Sequence, residues 1–388
     1  MSKRLATLFG RIRKRIAGQE IVAYPSYGYR DPADASTWIV PMRLWVHDNR
    51  DTPFVERALH DWAIEHFEKD VERALDEAEK AQLRECLEPF IADDKGRESV
   101  TFSFVDDPKG EPFGFSHRTT QSGVIEEAVR IPDTLVQDCY ARQKDADRWL
   151  EIRARTGEGN GEGTGAIRFL EPEGLCVVSD IDDTIKITRV PAGKKTVLRN
   201  TFLKKFEATP GMRERLLGLA EAEGPNGDAS FHYVSGSPWQ MYGALNRFLF
   251  GESGFPAGTL HMKPLRLNLV ERGSLGNLMA FAVGGDLATL DQKIRQITDL
   301  MIHLPRRTFV LIGDSGERDP EVYRAIRELF PDQVREIHIR DVLGERLEGM
   351  QVIREPGAFV ALDTSDLVEE MKALVAKSRS AGPAATKL

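Results

Sequence analysis

Residues Leu175–Thr184 read LCVVSDIDDT. Leu175–Ser179 is a short apolar run, the pattern of a parallel strand buried on both faces. Three carboxylates follow within four residues: Asp180, Asp182 and Asp183. In an open α/β sheet, ligands bind beyond the carboxyl ends of the strands, so these acids fall where chemistry is expected. Like charges so close together repel unless a proton or a cation shares the site. A hard divalent cation such as Mg²⁺ suits carboxylate oxygens, water and a substrate phosphate. An Asp-rich turn with no ligand is the plainer alternative.

C-terminal to this stretch the pattern alternates between strand and helix. Helices are expected near 196–207 and 212–223, a strand at Ser230–Ser235 (SFHYVS), and a helix over Pro238–Phe250 with Pro at its first position. A weak strand at 258–262 precedes a helix over 287–303. Arg307–Gly313 (RTFVLIG) is a strong strand, 319–330 a helix, and Val334–Ile339 (VREIHI) a strand. A helix over Ser365–Lys377 and a small-residue tail close the chain. Such alternation implies a parallel sheet with helices on both faces.

N-terminal to Leu175 the pattern is mainly β. Strand signals fall at Thr37–Val46 (TWIVPMRLWV), Ser99–Val105, Gly123–Ile131, Arg148–Arg153 and Ala166–Leu170. His47–Asn49 reads as a turn, and 54–91 as a helical insertion. The glycine-rich stretch 156–165 is either a linker or a hairpin loop, and the resumption of strand pattern after it favours the loop. The first seventeen residues differ from the rest: six are Lys or Arg and none is acidic. Leu5, Leu8, Phe9, Ile12 and Ile16 share one helical face, a basic amphipathic pattern. The expected organisation is thus a basic segment (1–18), a mainly-β domain (19–172) carrying the insertion, an α/β domain (173–378) and a disordered tail (379–388).

Composition narrows the function classes. The 388 residues carry a formal charge of −8, 41% hydrophobic and 29% charged residues. Ordinary globular usage argues against a largely disordered chain, and the acidic balance argues against a nucleic-acid binder. No apolar run is long enough to span a membrane. Cys86, Cys139 and Cys176 are far apart and form no paired motif, which excludes a disulfide scaffold and a cysteine zinc site. A reducing, cytosolic compartment follows.

Four further positions carry candidate chemistry. Asp314 and Asp319 lie just beyond the strand RTFVLIG, where a second acidic loop can converge with the first on one cation; Asp319 can equally cap the following helix. Ser235 and Gly236, in Ser235-Gly236-Ser237-Pro238, precede a helix and offer hydroxyl and N–H groups to an anion, or form an ordinary cap. Lys293 begins the 287–303 helix and is a candidate for neutralising a phosphate. Lys263, in HMKP, competes for that role.

The order D-x-D-x-T, Ser, Lys, G-D-x-x-x-x-D resembles the haloacid dehalogenase superfamily of phosphohydrolases. VSDIDDTIKIT, HYVSGSPWQMY, FVLIGDSGERDPEVY and IHIRDV resemble the catalytic domain of the actin-patch-protein family of phosphatidate phosphatases, over roughly 174–341. Many members place His before the helical Lys, where this chain has Gln292. The resemblance implies a Rossmann-like fold and a Mg²⁺-dependent phosphatase acting on phosphatidate through an aspartyl-phosphate. It makes Asp180 the nucleophile and Asp182 the acid–base. Ser235, Gly236 and Lys293 contact the phosphoryl group. The metal is held by Asp180, the Asp182 carbonyl and Asp314, with Asp319 on a metal-bound water. Asp183 and Thr184 shape the loop. A phospholipid at the membrane surface is the implied partner, with the chain peripheral at the inner face and any protein partner of the β domain undefined. A soluble phosphate ester, a phosphoprotein, or a membrane-associated protein with a vestigial site are the alternatives.

Overall fold

The structure is a computed structural model that describes residues 18–49, 53–143, 148–223, 228–264, 287–343 and 351–354. The amphipathic pattern of the first seventeen residues, the 365–377 helix and the tail lie outside the described residues. The chain divides into two compact units. One comprises 1–58, 88–172 and 245–259, and the other 59–87, 173–244 and 260–388.

The first unit is built on a nine-stranded mixed sheet. Its strands are β1 (Gly18–Ala23), β2 (Ser26–Asp31), β3 (Asp34–Asn49), β4 (Asp93–Asp94), β5 (Val100–Phe104), β6 (Phe113–Gly114), β7 (Val124–Pro132), β8 (Trp149–Thr156) and β9 (Gly161–Phe169). Along β3, Trp38, Val40, Met42, Leu44 and Val46 are all buried, the two-residue period of a strand with one face on a core. That core gathers Phe102, Phe104, Ile131, Ile152 and Phe169. Strands β8 and β9 pair antiparallel with Arg155 opposite Glu162, so the glycine-rich stretch belongs to a hairpin, but its loop is only 157–160 and Gly161–Gly165 are already strand, where the missing side chains let β1 approach closely. His47–Asn49 is not a turn. These residues pair with Gly18–Glu20, and Asp93–Asp94 pair with them on the other side. Ladder partners on both sides override local turn preference. Two helices form the insertion, α1 (Pro53–Val71) and α2 (Glu77–Ile91), and its residues 59–87 group with the second unit. A helix at Asp133–Arg142, α3, has no counterpart in the sequence reading.

The second unit holds a six-stranded sheet made of β10 (Leu175–Asp180), β11 (Ala229–Pro238), β12 (Thr259–Lys263), β13 (Thr308–Asp314), β14 (Val334–Asp341) and β15 (Gln351–Arg354). Its order is β12-β11-β10-β13-β14-β15. The pairs β10–β11, β10–β13, β13–β14 and β14–β15 are parallel. All six residues of β10 are buried, as a central strand covered on both faces requires. Its helices are α4 (Lys194–Leu198), α5 (Met212–Ala222), α6 (Tyr242–Asn246), α7 (Leu287–His303) and α8 (Asp319–Leu329).

Two helix expectations change. The 196–207 helix runs only over α4 and one wide turn, Arg199–Leu203, before Lys204 turns extended. The backbone of Glu207–Thr209 pairs instead with Ile185–Ile187, through Ile187 N–H to Glu207 O at 2.9 Å and Thr209 N–H to Ile185 O at 3.0 Å. Strand β11 continues to Pro238, which is also the N-cap of the helical turn Trp239–Met241 that leads into α6, so the helical run begins one residue later than expected.

Candidate active site

Parallel pairing places the C-terminal ends of β10, β11 and β13 side by side. Asp180 ends β10, Ser235 lies near the end of β11, and Asp314 ends β13. The site therefore follows from strand register, because Asp180 pairs with Val234 and Ser179 with Ile312.

Carboxylate oxygens of Asp180, Asp314 and Asp319 lie within 4.8 Å of one another, and all three residues are buried. The Lys293 ammonium reaches in from α7, 2.9 Å from Asp180 Oδ1 and in contact with Asp319 Oδ1. Glu317 Oε2 lies 3.5 Å from the same ammonium. Thr184 Oγ1 donates to Asp180 Oδ2 at 3.1 Å, which orients the carboxylate. Asp314 Oδ1 accepts the backbone N–H groups of Gly316 (2.6 Å) and Glu317 (3.2 Å). Asp314 Oδ2 is buried with no hydrogen-bond partner among the described residues.

Asp319 does not cap its helix. It is the first residue of α8, and its side chain turns inward to Lys293 and to the Asp314 N–H at 3.3 Å. Gly313 permits this approach, since a Cβ there would strike the Asp319 carboxylate. Lys293, buried, occupies the place between the carboxylates that Lys263, at the end of β12, had competed for.

Four carboxylates facing one ammonium leave excess negative charge in a buried space. Burial pushes Asp180 well above the usual carboxylate range; Lys293 opposes this, while Asp319 and Glu317 add to it. Asp314 is raised by burial and then by Asp319 and Glu317. Glu317 is pushed up to about 7, first by burial. Burial alone would lower the Lys293 pKa, yet Asp180, Asp319 and Glu317 hold it well above the usual lysine value.

Asp182 has a different setting. Its Oδ1 accepts from Lys186 Nζ and from Thr188 Oγ1, both at 2.6 Å. The hydroxyls of Ser235 and Ser237 lie 3.4 and 3.5 Å from Oδ2. Burial would raise its pKa, but Lys186 and Thr188 outweigh burial and hold it below the usual range. The two neighbouring carboxylates thus differ in protonation tendency, Asp180 pushed toward the acid and Asp182 toward the ionised form. The Asp182 side chain stands apart from the other three. Ser235 does not cap a helix: its Oγ accepts the Ser237 N–H at 3.0 Å, with Gly236 between them.

Asp183 shapes the loop from a left-handed backbone position, φ 54°. Its carboxylate accepts the N–H groups of Thr188, Arg189 and Val190 at 2.9, 2.6 and 2.5 Å. Lys186 escaped the sequence reading, although its spacing of four from Asp182 was a signal. Glu317 and Gly313 also went unassigned.

Residues 175–341 match the family model described as "Phosphatidate phosphatase APP1, catalytic domain". Two curated fungal proteins are similar. Phosphatidate phosphatase APP1 of Saccharomyces cerevisiae is 30% identical over 177 residues, 44% of this chain and 27% of that protein. An uncharacterised protein of Schizosaccharomyces pombe is 30% identical over 181 residues, 46% of this chain and 27% of that protein. The chain therefore spans about a quarter of the length of these relatives. Among solved structures, a Ruminococcus gnavus β-glucuronidase in complex with uronic isofagomine aligns with a TM-score of 0.24 and 9% identity, over 84% of this chain and 45% of that one.

Proposed function

We propose that residues 173–378 form a Mg²⁺-dependent phosphoric monoester hydrolase of haloacid dehalogenase type, with phosphatidate as its substrate and diacylglycerol and phosphate as its products. The convergence of Asp180, Asp314, Asp319 and Lys293 carries this reading. The match to a phosphatidate phosphatase catalytic domain supports the reaction class and the lipid substrate.

The donor set fits magnesium. It offers oxygen donors, carboxylates above all, the hard ligands this ion prefers, and Asp314 Oδ2 is a buried acceptor with no hydrogen-bond partner among the described residues. Asp180, Asp314 and the Asp182 carbonyl would hold the ion, with Asp319 acting through a bound water. When bound, it neutralises the carboxylates and polarises the phosphoryl oxygens.

Asp180 Oδ attacks phosphorus and the P–O bond to the alcohol breaks, leaving an aspartyl-phosphate; Thr184 holds the attacking carboxylate. Asp182 gives a proton to the departing alkoxide, then takes one from the water that cleaves the aspartyl-phosphate. Lys293 offsets the charge developing on the phosphoryl oxygens. Ser235 and Gly236 contact the same oxygens.

The test is phosphate release from phosphatidate in detergent micelles and from a soluble aryl phosphate, with Mg²⁺, with chelator and with Asp180→Asn. Chelator-sensitive release from phosphatidate, lost in the variant and faster than from the aryl ester, is expected. Release from the aryl ester alone would remove the lipid and keep the chemistry. No release from either would refute the proposal.

A further inference from the structure

A cavity of about 350 Å³ opens beside the catalytic loop within the same unit. Arg73, Arg189, Lys195, Arg199, Lys204 and Lys205 line it, all of them exposed. Glu207 is the one carboxylate in the lining. This is a strong local excess of positive charge on a chain whose net charge is −8. None of these residues belongs to the carboxylate site.

Two of the cations are already partnered. Lys195 pairs with Glu72 at 2.6 Å, and Arg73 forms a two-point pair with Glu79 at 2.6 and 2.7 Å. Arg189, Arg199, Lys204 and Lys205 form no side-chain ion pair among the described residues. Four cations without an ion pair, against one carboxylate in the lining, leave the concavity positive, so an anion entering it gains charge attraction as well as hydrogen bonds. Guanidinium groups suit phosphate oxygens by two-point bonding, and ammonium groups add point charge.

The cavity wall is also tied to the reacting groups. Ile187 and Arg189 face the cavity, while the alternate residues Lys186 and Thr188 hold Asp182. Asn200, on the cavity wall, donates to the Thr188 carbonyl at 3.0 Å.

We propose that this basic cavity is a second anion site, which binds a multiply charged phosphate group other than the one being hydrolysed. It needs no divalent cation, because its charge is supplied by arginine and lysine. The reacting site, rich in carboxylates, repels a free phosphate when no cation is bound. Binding in the presence of chelator therefore leaves out the reacting site, its loss in the cavity variant separates the cavity from the basic segment 1–17, and it stands or falls separately from the hydrolase reading.

The experiment is calorimetric titration of the full chain with inorganic pyrophosphate in chelator. One equivalent is expected to bind. Arg199→Ala with Lys205→Ala should weaken binding at least tenfold, about 1.4 kcal/mol, whereas Arg199→Lys with Lys205→Arg should retain most of the affinity. Absence of binding to the parent chain, or equal affinity in the alanine variant, overturns the proposal. Loss of binding in both variants also overturns it, because a charge-based site survives exchange of one cation for another. The source of the phosphate is read by adding vesicles to the pyrophosphate complex. Displacement by phosphatidylcholine vesicles containing phosphatidate, and not by phosphatidylcholine alone, assigns the site to a lipid headgroup. Retention of pyrophosphate in both upholds the site and assigns it to a soluble phosphate compound.

Discussion

Lys186 is nearly inaccessible to solvent, and its ammonium ends on Asp182 and Thr188. It lowers the Asp182 pKa against burial, which in the proposed mechanism suits the step that takes a proton from water, and its contact positions the carboxylate for both steps. Lys186→Met removes that stabilisation, so the Asp182 pKa rises. The expected result is a fall in kcat toward the hundredfold scale of a misplaced acid–base group, and the limb of the pH–rate profile set by Asp182 moves to higher pH. A purely structural loss would lower the active fraction and leave the profile in place. Gly313 is the other residue whose role is geometric. Gly313→Ala forces the Asp319 carboxylate away from the Asp314 N–H, and phosphate release by this variant should drop while α8 itself still forms.

At the scale of elements, the sheet is secured at the end opposite the site. Arg307 precedes β13 and is buried. Its guanidinium donates to Glu173 O at 2.9 Å, Leu175 O at 3.0 Å and Asp228 Oδ2 at 2.8 Å, tying together the starts of β10, β11 and β13. Gly174, at φ 138°, leaves room for it: a Cβ there would come within 2.6 Å of the guanidinium. Arg307→Met takes the guanidinium from the Asp228 carboxylate and from three carbonyls, those of Glu173, Leu175 and Asp228. Removing one partner of a buried pair costs on the order of 3–5 kcal/mol. Denaturant unfolding should show that loss, while turnover per folded molecule persists because no reacting group touches Arg307.

At the scale of the whole molecule, acid sensitivity and membrane contact belong to different segments. His47 lies buried in β3, stacked on Trp45 at 4.0 Å, and burial lowers its pKa to about 4. The unfolded chain takes up this proton near pH 6.5, the folded chain only near 4. Between those values the unfolded state carries more protons, so stability falls as pH falls. The ceiling on that loss is about 3 kcal/mol. His261 and His303 are lowered by burial to about 4 as well, so His47→Phe, which keeps a ring and removes one titration, should reduce the dependence in unfolding measured from pH 7 to 4 by one group's share and leave the rest. A basic amphipathic segment can lie in a membrane interface, and we propose this for residues 1–17, the alternative being that their apolar face docks on the β domain; no helix among the described residues is long and apolar enough to cross a membrane. Deleting 1–17 should abolish co-sedimentation with phosphatidate-containing liposomes, and unchanged sedimentation would rule the segment out as the anchor.

Local pattern alone located the strands ending at Asp180 and Asp314, the α7 and α8 helices, and the glycine-rich hairpin, because periodicity and turn chemistry are properties of adjacent residues. The order of the carboxylates along the chain was equally legible. Pattern alone did not show that the Asp319 side chain turns to Lys293 rather than capping its helix, that His47–Asn49 stay in a strand, or that residues 207–209 pair with 185–187 instead of extending a helix. Nor did it show that Lys186 governs Asp182, or that six cations scattered between Arg73 and Lys205 surround one cavity. Each of these depends on which groups meet after folding. A buried charge takes the partner that best offsets its lost hydration, and a backbone group takes whichever ladder or side chain reaches it.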